Sequence, residues 1–364
     1  MNVLSLFDGM SCGRIALERA GIKIDKYFAS EIDKYAIKVS KNNYPDTIHL
    51  GDVQGVQAAD VGAIDLLIGG SPCQGFSFAG KQLNFDDPRS KLFFEFVRLL
   101  KELNPTYFML ENVNMKQEYQ DVISKLLGCS PIDINSNLVS AQNRRRLYWT
   151  NIPVKSLPEN KRIYIKDILE NGFTDRDKAH CIDANYFKGG NLKSYFEKHR
   201  RQLVFDFDKT GQQLASSKDG LCHVGDADLS GNQSIKRVYH IDGKSPCLTT
   251  MGGGHREPKI LQASHGWNKG GIKANDGKSP AMTTSSWQHN NHLTYNEGLT
   301  WRKLTPIECE RLQTVPDGYT EMGIFGDDYT YEDEKPISNS QRYKMLGNGW
   351  TVDVISHLMK NMEN

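Results

Sequence analysis

The stretch that decides the fold is residues 64–77, IDLLIGGSPCQGFS, in which a short apolar run leads into a loop with a single thiol. The apolar run predicts a buried strand, because it ends at a glycine pair that breaks regular structure. In open α/β sheets, ligands bind beyond the carboxyl ends of the strands, and that is where the loop places Cys73. Pro72 stiffens the loop, and its glycines let the backbone approach a substrate closely. We therefore predict that Cys73 faces a binding crevice.

The composition is that of an ordinary globular protein. Together with the sequence pattern it disfavours a membrane protein, a secreted protein and a protein built on zinc or disulfides. The chain has 364 residues, of which 38% are hydrophobic and 24% charged, with a formal net charge of +1. This length suits one large domain and a smaller one. No apolar run approaches the ~18 residues of a membrane span, and the start, MNVLSLFDG, lacks the features of a signal peptide. The 7 cysteines form no Cys-x-x-Cys pair, which argues against zinc and disulfide frameworks and fits a reducing compartment.

The first half of the chain alternates strands and helices in a Rossmann-like order. Residues 2–7 predict a strand that leads through the turn DGMSCG into a helix over 14–20, an arrangement that presents backbone N–H groups to a cofactor. The second predicted strand covers residues 26–30 and leads to Glu31, whose carboxylate could accept hydrogen bonds from ribose hydroxyls. A role for Glu31 as a solvent-exposed cap of the following helix explains its position equally well. A third short strand ends at Asp52.

A further strand, predicted over residues 107–110, brings Glu111 to the same sheet edge as Cys73. A thiol and a carboxyl group in one crevice could serve as nucleophile and proton donor. Residues 140–149, SAQNRRRLYW, set three consecutive arginines before another strand. A basic run is usually a solvated face, but this one lies beside an amide and an aromatic residue, which favours contacts with an anion or a base.

From about residue 153 the composition changes, and Gly, Ser, Asn, Thr and His become frequent. Eight of the 10 histidines lie between His180 and His292, which with the turn residues predicts a separate, loop-rich β domain. The histidine spacings match no metal-ligand pattern, so we predict no metal site.

An internal repeat lies within this region. DGKSPCLTT at 242–250 returns as DGKSPAMTT at 276–284, and two such copies predict paired hairpin-like supports rather than a solenoid. The polar loops that follow, 251–256 and 285–292, carry donors, acceptors and an aromatic residue, which suit the reading of base edges in a groove.

The end of the chain predicts helices again. Thr305 is a predicted N-cap, with Pro306 at the first helical position and Glu308 completing a capping box. A last amphipathic helix is predicted to end at Met359 and to pack back on the first domain.

Taken in order, these segments resemble the motifs of the DNA cytosine-5 methyltransferases over the whole chain except its middle region. LFDGMSCG, around Asp8 and Gly9, is similar to the motif that holds S-adenosylmethionine. The other segments that resemble family motifs are PCQGFS (72–77), RSKLFF (89–94), ENV (111–113), QNRRRLY (142–148), RKLTPIECERLQTVPDGY and QRYKMLGNGWTVDVI. Eight or nine motifs in the family's order form a very specific pattern.

The resemblance implies an α/β fold, with a Rossmann-like methyltransferase sheet and a smaller, loop-rich β target-recognition domain. The implied catalytic and cofactor-binding domain covers residues 1–165, and a C-terminal segment, 301–364, completes it. The implied target-recognition domain covers residues 166–300. The implied activity is transfer of a methyl group from S-adenosylmethionine to carbon 5 of cytosine in a short sequence of double-stranded DNA, with base flipping and a covalent Cys73 adduct. We expect a cytoplasmic monomer of a bacterial or phage host cell, without membrane partners, with a cognate restriction endonuclease as a possible functional partner.

The resemblance also implies the site residues. Cys73 would be the nucleophile, Glu111 would protonate N3 of cytosine, and Arg146 would stabilise O2. Arg144 and Arg146 would also favour the thiolate of Cys73. The implied catalytic residues are therefore Cys73, Glu111, Arg144 and Arg146. The implied cofactor-binding residues are Phe7, Asp8, Gly9, Ser11, Glu31, Ile32, Asp52, Val53, Pro72, Leu92 and Asn348.

Two departures from the family pattern fall near the cofactor. Ser11 stands at the last residue of F-x-G-x-G, which is commonly glycine, and Gly349-Trp350 stands where Ser-Val is common. Both bear on the fine geometry of the cofactor pocket rather than on the chemistry.

Three other functions compete with this interpretation. Transfer RNA cytosine-5 methyltransferases carry a Cys-Phe-Thr signature that this sequence lacks. Catalytically silent DNA-binding relatives typically lose the loop cysteine or the glutamate, and this chain has both. A nicotinamide-dependent oxidoreductase is disfavoured because the dinucleotide glycine pattern G-x-G-x-x-G is absent from the first turn.

Overall fold

The computed structural model divides the chain into two compact units. The first comprises Met1–Ile168, Cys181–Lys188 and Thr305–Asn364, and the second comprises Leu169–His180 and Gly189–Leu304. The described residues are 1–71, 88–188, 195, 198–207, 223–226, 237–239, 261–262, 271–272, 291–292, 299–325 and 334–362. The segments outside these residues include Pro72, Cys73, both copies of the internal repeat and, except for 291–292, the polar loops that follow them.

The first unit is built on a seven-stranded sheet. Its strands are β1 (Asn2–Leu6), β2 (Lys26–Ser30), β3 (Ile48–Gly51), β4 (Leu66–Gly69), β5 (Tyr107–Val113), β6 (Ile132–Asn135) and β7 (Arg145–Thr150). Their order is β3-β2-β1-β4-β5-β7-β6; the first five are parallel, and β7 runs antiparallel to β5 and β6. Because the strand order reverses between β1 and β4, a crevice is expected at the carboxyl ends of these strands.

Helices connect the strands and close the unit. They are α1 (Cys12–Arg19), α2 (Lys34–Asn43), α3 (Ala58–Val61), α4 (Pro88–Leu103), α5 (Gln117–Leu127), α6 (Pro306–Leu312), α7 (Asn339–Asn348) and α8 (Val352–Met359). Short 3-10 turns occupy Val53–Gly55, Ser136–Leu138, Ile165–Asp167 and Tyr186–Lys188. Among the described residues, no helix combines the length and the apolar character needed to cross a membrane.

The core lies between the helices and the sheet. One face of α4 is apolar and buried, because Phe93, Phe96 and Leu99 share one cluster with Leu67 and Leu110 of the central strands. Removing a buried phenylalanine such as these typically costs about 3–5 kcal/mol of stability. The same packing fixes the end of β4, from which the chain continues to Cys73.

The C-terminal helices join this unit as predicted. The hydroxyl of Thr305 accepts a hydrogen bond from the backbone N–H of Glu308, and the Glu308 carboxylate accepts one from Thr305. Helix α8 packs against α1, and Arg19 forms an ion pair with Asp353 at 2.8 Å. The predicted capping box and the return of the last helix are both confirmed.

Two predicted strand boundaries are wrong. β5 continues to Val113, so Glu111 lies within a strand rather than after it, and Arg145 and Arg146 lie inside β7 rather than before it. The reason is the antiparallel pairing of β5 with β7, which extends past the end of the β4 ladder. The arginines therefore follow the alternation of a strand, and neighbouring ones point to opposite faces.

The described elements of the second unit are mainly short antiparallel strands. Leu203–Phe207 pairs with Leu299–Lys303, His223–Asp226 with Arg237–Tyr239, and Leu261–Gln262 with both Gly271–Ile272 and Asn291–His292. A small core forms from Tyr195, Leu203 and Phe205, with Phe173 packed against it. Residues 181–188, which the prediction placed in this domain, belong to the first unit, where the rings of Tyr186 and Tyr343 are in contact.

Candidate active site

A cavity of about 390 Å³ opens at the carboxyl ends of β1, β2, β4 and β5. It brings together most of the predicted site residues: Phe7, Asp8, Gly9, Glu31, Ile32, Asp52, Val53, Leu92, Glu111, Arg144, Arg146 and Asn348. Ser11 is buried behind the lining. Pro72 and Cys73 lie beyond the described residues, but Gly70 and Ser71, which precede them, line the cavity.

One end of the cavity carries a carboxylate that the backbone holds in place. Glu31 accepts hydrogen bonds from the N–H groups of Gly9 at 2.8 Å, Ile32 at 2.7 Å and Asp33 at 2.8 Å. These bonds join the end of β2 to the turn after β1. Oε1 accepts two of these bonds and Oε2 accepts one, so Oε2 retains the acceptor capacity that a ribose hydroxyl needs.

Apolar side chains and a second carboxylate line the same cavity as Glu31. Ile32 is 74% exposed although it is a large apolar residue, and Val53 lines the same cavity. Asp52 caps the following 3-10 turn, since its side chain accepts a hydrogen bond from the N–H of Gln54 at 3.0 Å. An exposed isoleucine beside fixed carboxylates fits a flat heterocycle attached to a ribose.

The turn between β1 and α1 is held from behind by Asp8. Its carboxyl group is buried and accepts hydrogen bonds from the Tyr27 hydroxyl and the Ser11 hydroxyl, both at 2.7 Å. Burial raises the pKa of Asp8 to about 6. The side chains of Asp8 and Ser11 therefore support the turn.

Ser11 departs from the family pattern at a position with a left-handed backbone. Its φ is 65°, a value that glycine adopts readily and other residues adopt at a cost of about 1–2 kcal/mol. The Ser11 hydroxyl offsets this cost, because it bonds to the carboxylate of Asp8 and to the hydroxyl of Ser40, each at 2.7 Å.

Replacing Ser11 by alanine should therefore destabilise the protein more than replacing it by glycine. Ser11→Ala keeps the strained backbone and loses both hydrogen bonds, so we expect the free energy of unfolding to fall by about 1–3 kcal/mol. Ser11→Gly loses the same bonds but relieves the strain. Urea unfolding of the two variants measures the difference, and an alanine variant at least as stable as the glycine variant would contradict this account.

The other end of the cavity carries Glu111. Its Oε1 forms an ion pair with Nε of Arg146 at 2.9 Å, and its Oε2 accepts a hydrogen bond from Nε1 of Trp350 at 3.2 Å. The strand register explains the ion pair. Arg146 of β7 lies opposite Val113 of β5, so Glu111, two residues before Val113, is the diagonal neighbour of Arg146. A carboxyl group and a guanidinium are thus held together on the cavity wall.

The end of β5 is tied to the start of the loop that carries Cys73. The side-chain amide of Asn112 donates to the hydroxyl of Ser71 at 3.2 Å. A Cβ atom on Gly70 would lie 3.0 Å from Oε2 of Glu111. The last described residues before Cys73 therefore lie beside the Glu111 carboxyl group.

Arg144 is placed differently from Arg146. Its guanidinium is buried and donates to the carbonyl oxygens of Ile182 at 3.1 Å, Gly347 at 3.3 Å and Gly349 at 2.8 Å. This geometry favours a structural task for Arg144, namely to hold the 347–349 segment, over direct contact with a substrate. Its predicted catalytic role stays a prediction.

The sequence interpretation did not include two residues of this site. Asn112, which joins β5 to Ser71, directly follows the glutamate, but an amide beside a strand end gives no signal of its own. Trp350 had a signal, because it departs from the family's common valine, but only the structure shows its hydrogen bond with Glu111.

Comparison with known proteins agrees with this architecture. The sequence model described as C-5 cytosine-specific DNA methylase matches residues 1–364. The type II methyltransferase M.NgoBV of Neisseria gonorrhoeae is 36% identical over 99% of this chain and 98% of its own length. The orphan methyltransferase M.Rho11sI of Bacillus phage rho11s is 28% identical over 100% of this chain and 97% of its own length.

Two solved structures share the fold. One is a DNA modification methyltransferase encoded within an E. coli prophage, at 21% identity and a TM-score of 0.50, covering 99% of this chain and 98% of that one. The other is a mutant of Spodoptera frugiperda DNMT2, at 19% identity and a TM-score of 0.54, with the same coverage of both chains. The predicted fold class and family are therefore confirmed, and the chain belongs to the family of C-5 cytosine-specific DNA methylases.

Proposed function

We propose that the protein transfers a methyl group to carbon 5 of cytosine within a short recognition sequence of double-stranded DNA. The observation that carries the proposal is the pairing of Glu111 with Arg146, at 2.9 Å, in the cavity where the strand leading to Cys73 ends. Family membership supplies the reaction class, and M.NgoBV and M.Rho11sI, which match over nearly their full length, are named as a type II and an orphan methyltransferase.

The lining of the cavity fits S-adenosylmethionine. Glu31 would hold the ribose hydroxyls, Asp52 would accept a hydrogen bond from the adenine amino group, and Ile32 and Val53 would contact the adenine faces. Four of the remaining predicted contacts line the cavity: Phe7, Gly9, Leu92 and Asn348. Asp8 and Ser11 would act through the turn that they support. Pro72 lies outside the described residues. When bound there, the cofactor supplies the methyl group as the electrophilic carbon of a sulfonium.

Carbon 5 of cytosine is a poor nucleophile toward the methyl group. The protein must therefore supply a nucleophile of its own that activates the ring. The thiolate of Cys73 would add to carbon 6, which breaks the conjugation of the ring and makes carbon 5 enamine-like. Electron density then moves onto N3 and O2 of the base. Glu111 would protonate N3, and Arg146 would stabilise the charge on O2. After methylation a base removes the proton from carbon 5, and Cys73 leaves by elimination.

The target base lies inside the duplex stack, so the protein must extrude it at a cost of about a few kcal/mol. We assign the recognition of the flanking sequence to the second unit, where Lys and Arg between residues 188 and 259 would bind phosphates. One similar protein is named as a type II methyltransferase and another as an orphan, so this chain would act either with a cognate restriction endonuclease or alone.

Covalent trapping on DNA tests the proposal. A long DNA fragment with 5-fluorocytosine in place of cytosine contains every possible target sequence, and fluorine at carbon 5 blocks the elimination step. With S-adenosylmethionine present, we expect the wild-type protein to form an adduct that survives denaturing electrophoresis, and Cys73→Ser to form none. Cys129→Ser is the matched control, since Cys129 packs against the hydrophobic core, and it should trap as well as wild type.

Two results would contradict the proposal. One is the absence of an adduct with the wild-type protein, and the other is an adduct with Cys73→Ser. The same assay with transfer RNA that contains 5-fluorocytosine separates the RNA-modifying alternative, which requires trapping on RNA and not on DNA.

A further inference from the structure

The indole of Trp350 lies against the carboxyl group of Glu111. The side chain is 8% exposed, and its Nε1–H donates to Oε2 of Glu111 at 3.2 Å. We infer that Trp350 is a positioning residue that holds the carboxyl group of Glu111 for proton transfer. This inference rests on the proposed function. It gives a role to Trp350, which the sequence interpretation did not include in the site.

Two donors hold the Glu111 carboxyl group, one on each oxygen. Nε of Arg146 lies 2.9 Å from Oε1, on the other side of the group from the indole. The terminal torsion of a glutamate is broad, so a single donor leaves the carboxyl plane free to rotate. Donors on both oxygens fix that plane, and therefore fix the direction in which Glu111 can deliver a proton.

The two donors also differ in charge, which decides which oxygen carries the proton. The guanidinium of Arg146 disfavours a proton on Oε1, because the proton would add positive charge beside a cation. A protonated Oε2 can still accept the indole N–H while it donates its own proton to N3 of the base. Trp350 thus orients the oxygen that acts as the acid, and valine offers no donor for this task.

The surroundings of Trp350 keep its ring in place. A Cβ atom on Gly70 would lie 2.8 Å from Nε1 of Trp350, and one on Gly13 would lie 3.4 Å from its Cζ3. The 2.8 Å distance is shorter than real Cβ contacts, so the close approach of the indole and carboxyl groups to the chain requires glycine at position 70. The backbone before Trp350 is held as well, since Arg144 donates to the carbonyl of Gly349 at 2.8 Å.

The decisive variant is Trp350→Phe, which keeps most of the ring but removes the N–H. We expect kcat for methyl transfer to DNA to fall about tenfold, equivalent to about 1.4 kcal/mol, with KM for DNA changed less than about twofold. Trp350→Val, the residue common in the family, should fall at least as far, because it loses both the donor and the packing. Gly70→Ala pushes on the same pair from the opposite side and should also lower kcat.

A double-mutant cycle with Glu111→Gln separates positioning from general support of the fold. If Trp350 acts through the Glu111 carboxyl group, Trp350→Phe should have little further effect on the single-turnover rate of the Glu111→Gln protein. If the tryptophan only supports the fold, its tenfold effect should persist in that background.

The outcomes are distinguishable. An active wild type together with a Trp350→Phe protein of unchanged kcat overturns the inference alone, as does an equal loss in both backgrounds. Where Trp350→Phe fails to fold, Trp350→Leu, which also lacks the N–H donor, takes its place in the cycle, with the same requirement that its effect shrink when Glu111 is glutamine. A wild-type protein without methyl transfer would overturn the proposed function and this inference together.

Discussion

Replacing Glu111 by glutamine should lower kcat by about 10²–10⁴-fold, the usual contribution of a general acid or base. Glutamine has nearly the same shape but has no proton to transfer to N3. Its amide nitrogen must also face either Arg146 or Trp350, both of which are donors. DNA binding should change little, because the lost interaction matters mainly in the transition state.

Single-turnover methyl transfer and filter binding of DNA measure the two quantities separately. The control is Glu118→Gln, which removes an exposed carboxylate in the first turn of α5 and should leave both unchanged. An unchanged rate for Glu111→Gln would refute the acid role, and a matching loss of DNA affinity would point to a binding role instead.

Replacing Arg144 by methionine should lower the free energy of unfolding by about 3 kcal/mol. The buried guanidinium donates to the carbonyl oxygens of Ile182, Gly347 and Gly349, and an apolar side chain would remove these hydrogen bonds from the interior. The adjacent Arg145 is the matched control, because its ion pair with Asp133 is exposed and should contribute little to stability.

Chemical denaturation of Arg144→Met and Arg145→Met measures these losses, and activity assays show what Arg144 does for the reaction. A structural Arg144 predicts that activity falls together with stability, because the 347–349 segment carries Asn348 and leads to Trp350. A direct role predicts instead a folded Arg144→Lys protein of near-normal stability that has lost methyl transfer. Equal stability of the methionine variants would contradict the structural account.

The order of strands and helices in the first half of the chain was predictable from the sequence because its signals are local. β2 occupies the predicted residues Lys26–Ser30, and the capping box at Thr305 and Glu308 forms as its spacing requires. Strands β2, β3 and β4 end where their runs meet glycine or an acidic residue. The positions of Glu31 and Asp52 at strand ends could therefore be predicted from the residues next to them.

The sequence by itself therefore determined the alternating α/β architecture, the family and the sheet edge where the cofactor and catalytic groups gather. Only the tertiary structure decided the separate tasks of the three consecutive arginines: Arg144 holds backbone carbonyls, Arg145 pairs with Asp133 at the surface, and Arg146 meets Glu111. The contact of Trp350 with Glu111, between residues 239 positions apart, was likewise invisible in the sequence. The physical reason is that strand register and helix docking are set by packing between distant segments, whereas propensities, caps and apolar runs act within a few residues.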